Sequence, residues 1–227
     1  MAKSILAPEN IFSVLPTELS RGLFANACIV SLETDHNLFL KGDEADGCYR
    51  IEEGLVKASV AVPYRGERIL AVLGPGAVVG VLSMIDRAPR SASVSALRDS
   101  KLCFASKAAF EVFAQSAPEV YQQITAVLAQ RLRNANAALV ATSYLSVKGR
   151  VAHALLSLAK GFGKDLGSGR ILICQKVSQS DLAAMAGIAR ENVSRVLKDW
   201  TTRSLVSQVA GHYCLESEAG ITRELQL

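Results

Sequence analysis

The stretch Ser178–Trp200, SQSDLAAMAGIARENVSRVLKDW, decides the fold of the C-terminal third of the chain. Ser178 reads as an N-cap, with Asp181 three residues on in the manner of a capping box. Leu182, Met185 and Ala186 stand at i, i+3 and i+4, which predicts a helix with one buried stripe. Gly187 ends it, and Gly187-Ile188-Ala189 suits a tight turn between two helices. The second helix buries Val193, Val196, Leu197 and Trp200, and its other side carries Arg190, Glu191, Ser194, Arg195 and Lys198. The chemistry of that side fits base edges. Arginine can donate twice to guanine O6 and N7, glutamate accepts from cytosine N4, and serine approaches either kind of edge. Residues at the start of a recognition helix are the ones that reach base edges in the major groove. The pattern predicts a DNA-reading helix-turn-helix with Arg190, Glu191, Ser194 and Arg195 as base contacts. A plainer alternative remains, a solvated amphipathic helix steadied by Glu–Arg pairs worth a few tenths of a kcal/mol.

Composition sets the frame around this segment. The chain has 227 residues, half of them hydrophobic, enough for two modest domains or one large one. No apolar run reaches the roughly 18–20 residues of a membrane span. The N-terminus MAKSILAPEN has no apolar core of a signal peptide, so a cytoplasmic location is expected. The net charge of +4 is mild, and residues 171–227 hold six Lys and Arg against six Asp and Glu. Any nucleic-acid surface must therefore come from the placement of charges and not from their total. The five cysteines, at 28, 48, 103, 174 and 214, lie at least 20 residues apart, without the short spacing of a zinc or iron–sulfur site. His36, His153 and His212 are equally isolated, and no spacing suggests a catalytic constellation. Neither an enzyme nor a metal site is expected.

Along the chain the hydrophobic period changes twice. Residues 28–105 read as short strands punctuated by Gly42, Gly47, Gly54, Gly66, Gly74, Gly76 and Gly80. Val56, Ala58, Val60 and Val62 alternate with Lys57, Ser59 and Ala61; residues 68–73 read as an apolar strand; Ser91, Ser93 and Ser95 alternate with Ala92, Val94 and Ala96. An antiparallel β-roll or jelly roll is predicted, preceded by a helix over residues 16–26. Residues 118–145 read as one long helix with Pro118 in its first turn. Positions 120, 124, 127, 131, 134, 138, 141 and 145 step by 4 and 3, a coiled-coil seam, and Tyr121, Leu128, Leu132, Ala135 and Leu139 form a neighbouring stripe. Two stripes let the helix pack on its own domain and pair with a second copy. A single wide stripe buried in a monomer is the alternative. Ser146–Arg150 reads as a hinge, residues 151–158 as a helix, Gly161–Gly169 as a glycine-rich turn, residues 170–174 as a strand, and Leu205–Leu215 as a two-stranded wing around Gly211. The class is α+β: a β-roll sensor domain over 1–117, a dimerisation helix over 118–145, and a winged helix-turn-helix over 146–227.

In this order and at this length, the elements resemble the cyclic AMP receptor protein/FNR family of bacterial transcription regulators. The resemblance covers nearly the whole chain. It is carried by Phe39-Leu40-Lys41-Gly42-Asp43, Tyr49-Arg50-Ile51 with Gly54, Gly74-Pro75-Gly76, Pro89-Arg90-Ser91-Ala92, Val147-Lys148-Gly149-Arg150, and above all Gly187–Leu197. It implies a homodimer on a palindromic double-stranded site with TGTGA- or TTGA-like half-sites, and RNA polymerase as a partner at the promoter. Arg190, Glu191 and Arg195 fall where the cyclic AMP receptor branch keeps its base-reading Arg, Glu and Arg, and Ser194-Arg195 matches the serine–arginine pair of the FNR branch. Lys176, Ser178, Lys198 and Arg203 are the candidates for phosphate contacts.

The resemblance also implies an effector pocket made by Gly80, Val81, Leu82, Arg90, Ser91, Ala135 and Asn136. In cyclic-nucleotide members a Gly-Glu-Leu run offers a carboxylate to the ribose, and an Arg-Ser-Ala run pairs with the phosphate. Here the first run is Gly80-Val81-Leu82 and the second, Arg90-Ser91-Ala92, is intact. Without the carboxylate a ribose hydroxyl stays unpaired, a loss of roughly 1–3 kcal/mol. The reading favours a small-molecule effector other than standard cyclic AMP, or none. A cyclic-AMP-responsive regulator is the alternative, and a cyclic-nucleotide module acting through protein contact is a further one. The alternative reading of Arg90 is a structural arginine paired with an acid such as Asp86. Redox sensing through Cys28 or Cys48, and haem ligation by His36 or Cys48, are left open by the residues alone.

Overall fold

Alternation and glycine turns produce the predicted antiparallel strands over the first half of the chain. The computed structural model describes residues 15–63 and 66–225, which divide into two units between residues 132 and 133. The first unit opens with α1 (Thr17–Leu23) and continues through β1 (Cys28–Leu32), β2 (Asn37–Phe39), β3 (Gly47–Val62), β4 (Gly66–Leu73), β5 (Val78–Val79), α2 (Leu82–Asp86), β6 (Ser93–Ser106) and α3 (Lys107–Ser116). Long strands β3 and β6 form the centre of the order β1-β6-β3-β4, with β2 on β6 and β5 on β3. Tyr49, Ile51, Val56, Leu73, Val94 and Leu102 fill one core.

The simple alternation predicted for residues 56–62 does not survive. A register shift between Ala58 and Ser59 in the β3–β4 pairing turns Ser59 inward, where it is buried and donates to Glu67, the partner of Lys57. A bulge of this kind resets which face each later residue takes. Likewise Ser95 is buried beside Val94 and Ala96, because both faces of β6 are covered at that point.

The long helix α4 (Glu119–Tyr144) runs from one unit into the other. In the first unit Val120, Ile124 and Val127 pack with Leu23, Phe24, Val81 and Phe110. The predicted seam residues Ala141 and Leu145 are also buried. In the neighbouring stripe Leu128 packs partly on the first-unit core, whereas Leu132 and Leu139 are 63% and 65% exposed.

The second unit adds α5 (Val147–Phe162), β7 (Gly163–Gly167), β8 (Arg170–Ile173), α6 (Gln179–Ala186), α7 (Arg190–Thr202), β9 (Val206–Val209), β10 (His212–Leu215) and α8 (Glu218–Arg223). The predicted hinge needs correction. Only residues 145 and 146 break the helix, and 147–150 form the first turn of α5. The Ser146 side chain accepts a bond from the Gly149 N–H and so caps an otherwise orphaned donor. Gly149 packs closely: a Cβ there would lie 3.1 Å from Leu145 and 3.2 Å from the Glu224 carbonyl, so either neighbour would have to give way slightly.

The predicted turn over 161–169 also proves shorter. α5 continues to Phe162, β7 pairs with β8, and the turn shrinks to residues 167–169, all at positive φ. The wing forms as predicted, β9 against β10 through Ala210 and Gly211 at φ 50° and 83°, the conformation of a tight two-residue hairpin. The four strands order as β7-β8-β10-β9 around a core that includes Leu155, Leu158, Leu182, Trp200 and Leu215. No helix among the described residues is long and apolar enough to cross a membrane.

Candidate nucleic-acid interface and effector site

The helix-turn-helix assembles around its caps and its core. Ser178 Oγ accepts from the Asp181 N–H at 3.0 Å while Asp181 accepts from the Ser178 N–H at 3.2 Å, closing the capping box. Gly187 ends α6 at φ 66°, a left-handed conformation that glycine adopts without strain. Leu182 and Ala186 are buried as predicted, Met185 only in part, and Ala183 completes the stripe. On α7, Val193, Val196, Leu197 and Trp200 are buried. That anchoring leaves Arg190, Glu191, Ser194, Arg195 and Lys198 exposed together. Arg195 Nε reaches its own helix's Glu191 carbonyl at 3.4 Å. Arg190, Glu191, Ser194 and Lys198 make no side-chain hydrogen bond or ion pair among the described residues. A groove of about 330 Å³ runs between α7 and the wing, lined by Gln179, Ser194, Lys198, Thr201, Gln208 and Tyr213.

The candidate phosphate contacts separate in the structure. Lys176 is exposed, and its side chain lies beside Gly211 at the wing turn. Ser178 is committed to the capping box, where its hydroxyl also donates to Asp181 at 2.6 Å. Arg203 is paired with Glu224 at 2.7 Å and Asp199 at 3.5 Å, and Lys148 reaches Asp199 at 2.7 Å. These partners hold the Asp199 carboxyl below its ordinary range, the Lys148 bond being the leading cause.

In the first unit the conspicuous group is Arg90. Its side chain is 1% exposed and meets Asp46 at 2.6 Å, not Asp86, whose carboxylate instead accepts from the Ala88 N–H at 3.0 Å. The reason is chain path: the Arg90 N–H donates to the Asp43 carbonyl and the Gly42 N–H to the Arg90 carbonyl, which brings the segment before β3 against residue 90. Arg90 Nη2 also donates to the Gly47 carbonyl at 2.8 Å, and Nη1 to the Gly80 carbonyl at 3.1 Å. The guanidinium lies 4.2 Å from the Phe39 ring centre, a cation–π distance. Gly80, at φ 81°, stands so close that a Cβ would sit 2.5 Å from Nη1. The side chain that replaces the expected carboxylate, Val81, is buried in the core with Val78 and Met84. Leu82 and Ser91 are exposed. Ala135 and Asn136 are exposed on the part of α4 that belongs to the second unit.

Cys48 is buried, and burial pushes its thiol up to about 12. That is the environment of an inert structural cysteine. Among the described residues no group of three or more His, Cys, Asp or Glu could hold a metal ion.

Residues 29–117 match the family described as Cyclic nucleotide-binding domain, and residues 149–223 the Crp-like helix-turn-helix domain. The CRP-like cAMP-activated global transcriptional regulator of Mycobacterium tuberculosis is 31% identical over 202 residues, covering 89% of this chain and 90% of its own. The chain belongs to the CRP/FNR family of transcription regulators. The Cyclic AMP receptor protein of Thermus thermophilus is 35% identical over 160 residues, 70% of each chain. In fold, this CRP/FNR chain is similar to the c-di-GMP-responsive global regulator CLP of Xanthomonas campestris, with a TM-score of 0.75 and 22% identity over 88% of this chain and 99% of that one.

Two residues at the CRP/FNR roll escaped sequence reasoning. Arg131, on α4, donates to the Val78 carbonyl, and its removal from water lowers its pKa to about 10, which leaves it charged at neutral pH. A signal existed, since 131 is the one charged position in an otherwise apolar or neutral seam. Asp46 left none: Asp43, Glu44 and Asp46 look alike in sequence, and 44 residues separate Asp46 from Arg90.

Proposed function

We propose that this regulator is a homodimer that reads a palindromic DNA site through α7 and responds to a small effector bound by its β-roll. The observation that carries the reading is the fan of Arg190, Glu191, Ser194 and Arg195, four base-compatible side chains exposed on one face over a buried apolar core. Lys198, exposed on the groove between α7 and the wing, and Lys176, exposed beside Gly211 at the wing turn, are assigned to phosphates. Arg203, held by two acids, is assigned to the domain's own stability. The exposed stripe of Leu132 and Leu139 supports pairing of two copies along α4. Two symmetry-related recognition helices would then meet one face of the duplex about 34 Å apart. The functional division follows as sensor 1–117, dimer helix 118–145 and reader 146–227, in the cytoplasm, with RNA polymerase as the partner at a promoter.

The relatives named as cAMP-activated support a nucleotide-like effector. Val81, buried where a ribose-binding carboxylate would stand, favours a ligand other than standard cyclic AMP. A ligand can switch the regulator only through a difference in affinity between its two states.

The test is fluorescence anisotropy of a labelled TGTGA-x₆-TCACA duplex, titrated with ligand-stripped protein, with and without cyclic AMP, against scrambled DNA. Sequence-preferring binding that ignores cyclic AMP is the expected result. Binding only with the nucleotide would show a cyclic-AMP-responsive regulator. Absence of preference on this duplex and after random-site selection would overturn the DNA reading.

A further inference from the structure

The groove between α7 and the wing holds a donor that the fold itself does not use. Tyr213 is 3% exposed, its ring packed in the core of the second unit. Its hydroxyl makes no hydrogen bond among the described residues, yet it is not sealed from water and opens on the groove that Tyr213 lines. A buried ring fixes where its polar tip points. Burial also holds the phenol above its ordinary range, so it remains a donor at neutral pH. Gln208 stands directly opposite Tyr213 in the β9–β10 pairing, Gln179 opens α6, and Ser194 and Lys198 come from α7. The remaining hydroxyls of the groove are committed: Thr201 to the Leu197 carbonyl, Thr202 to the Lys198 carbonyl, and Ser207 to Glu216. No Asp or Glu among the described residues lines the groove, and Glu216, behind Ser207, is matched by Arg170. What remains is several neutral donors and one positive charge.

That set suits a single phosphodiester, which carries one negative charge and accepts from several donors. The major groove of DNA is about 12 Å wide, so a helix lying in it has a phosphate strand along each flank. Ser194, one of the four reading residues, lines the groove, which makes the groove the flank of α7 on the wing side. We propose that this groove seats one DNA phosphate at the edge of each half-site, with the Tyr213 hydroxyl as a fixed neutral donor and Lys198 as the counter-charge. The proposal rests on the reading of α7 as the DNA reader and adds to it a contact of a different kind. Lys198 gains through counterion release and weakens with salt; a phenol releases no counterion. The ring is already immobile in the core, so its hydroxyl bonds a phosphate at little cost in side-chain freedom. A donor held in the core also fixes how closely the backbone approaches. Tyr213 therefore positions the bases before Arg190 and Arg195 without reading them.

The test uses the full-length protein, the duplex it prefers after random-site selection, and a scrambled duplex. Tyr213→Phe deletes one oxygen and keeps the packed ring, so it should melt with the parent. It should lose about tenfold in affinity, the scale of one hydrogen bond to a charged group. The loss should be equal on both duplexes and leave the salt slope unchanged, whereas Lys198→Gln should lower that slope by about 1. A scan of the duplex with uncharged methylphosphonates, one phosphate at a time, supplies the second measurement. One position in each half-site should cost affinity in the parent and little further in Tyr213→Phe, the coupling expected of groups in contact. Unchanged affinity in Tyr213→Phe, or no coupled phosphate, overturns the proposal. So does a loss confined to one sequence, which marks a base contact, or a lower Tm, which marks a structural hydroxyl. Inorganic phosphate at millimolar concentration should leave the parent's Tm unmoved; a rise that Tyr213→Phe abolishes would make the groove a small-anion site and overturn it too. Preference between the duplexes tests the reader separately. A parent with preference but no coupled phosphate keeps the reader and loses the seat, and one with a coupled phosphate but no preference does the reverse.

Discussion

Arg195 and Arg90 carry the same guanidinium and live in opposite surroundings. Arg195 is exposed at the front of α7, with a 3.4 Å bond to the Glu191 carbonyl of its own helix. Arg90 is 1% exposed, with one acid, two carbonyls and an aromatic ring around it. The exposed face of α7 keeps its cations loose over fixed apolar residues; the roll fixes the cation itself. The difference teaches how each charge is used. A guanidinium on an exposed helix face stays hydrated and mobile, whereas one enclosed by carbonyls and a ring is oriented in advance, because burial magnifies every polar contact around it.

The contrast fails if the reader's face does not depend on the core behind it. Trp200→Ala removes a fully buried indole and should cost about 3–5 kcal/mol. It should abolish DNA binding although Trp200 touches no base; a chemical denaturation curve alongside anisotropy checks both. Arg90→Met comes next. It leaves the Gly47 and Gly80 carbonyls without their donor, while the exposed Asp46 returns to water, so a loss of about 2–3 kcal/mol in stability is expected. Its salt dependence of DNA binding should stay as in the parent, and a changed slope would mean that Arg90 reaches phosphate. Arg195→Ala should do the reverse: an unchanged melting curve, and about 1–3 kcal/mol lost in DNA affinity with relaxed choice at one G·C pair. Equal loss on all sequences would make Arg195 a phosphate contact.

The smallest effect sharpens the comparison at a carboxylate. Glu216 joins Arg170 at 2.6 Å and accepts from Ser207, and these bonds hold its carboxyl at about 2 against an ordinary 4.5. Folding therefore favours the ionised form. The stabilisation is complete above pH 4.5 and is lost as the pH falls toward 2. Melting of the parent should drop across that window, and Glu216→Gln should flatten the drop and lower stability at neutral pH. An unchanged pH profile in the variant would remove Glu216 from the wing's stabilising bonds.

The legibility of the two regions differed for the same reason. Ser178, Asp181, Gly187 and the i, i+3, i+4 stripe act over one or two turns, so their spacing in the chain is their spacing in space. The caps and the four exposed readers follow from it. The hinge was misplaced because the capping bond from Ser146 to Gly149 and the packing of Gly149 on Glu224 are invisible to hydrophobic period. The alternation over residues 56–62 was misread for a similar cause, a bulge decided by the partner strand.

What the chain determined by itself was local: the helix-turn-helix, the turns and wing, the long helix with two stripes, and the family that this order of elements marks. What only tertiary structure decided was pairing at a distance. Asp46 meets Arg90 across 44 residues, Lys148 meets Asp199 across 51, and Arg131 reaches Val78 across 53. Periodicity reports which face of an element is buried, since burial is set by the element's own geometry. It does not report which charge on another element waits there, because that depends on how the strands and helices are brought together.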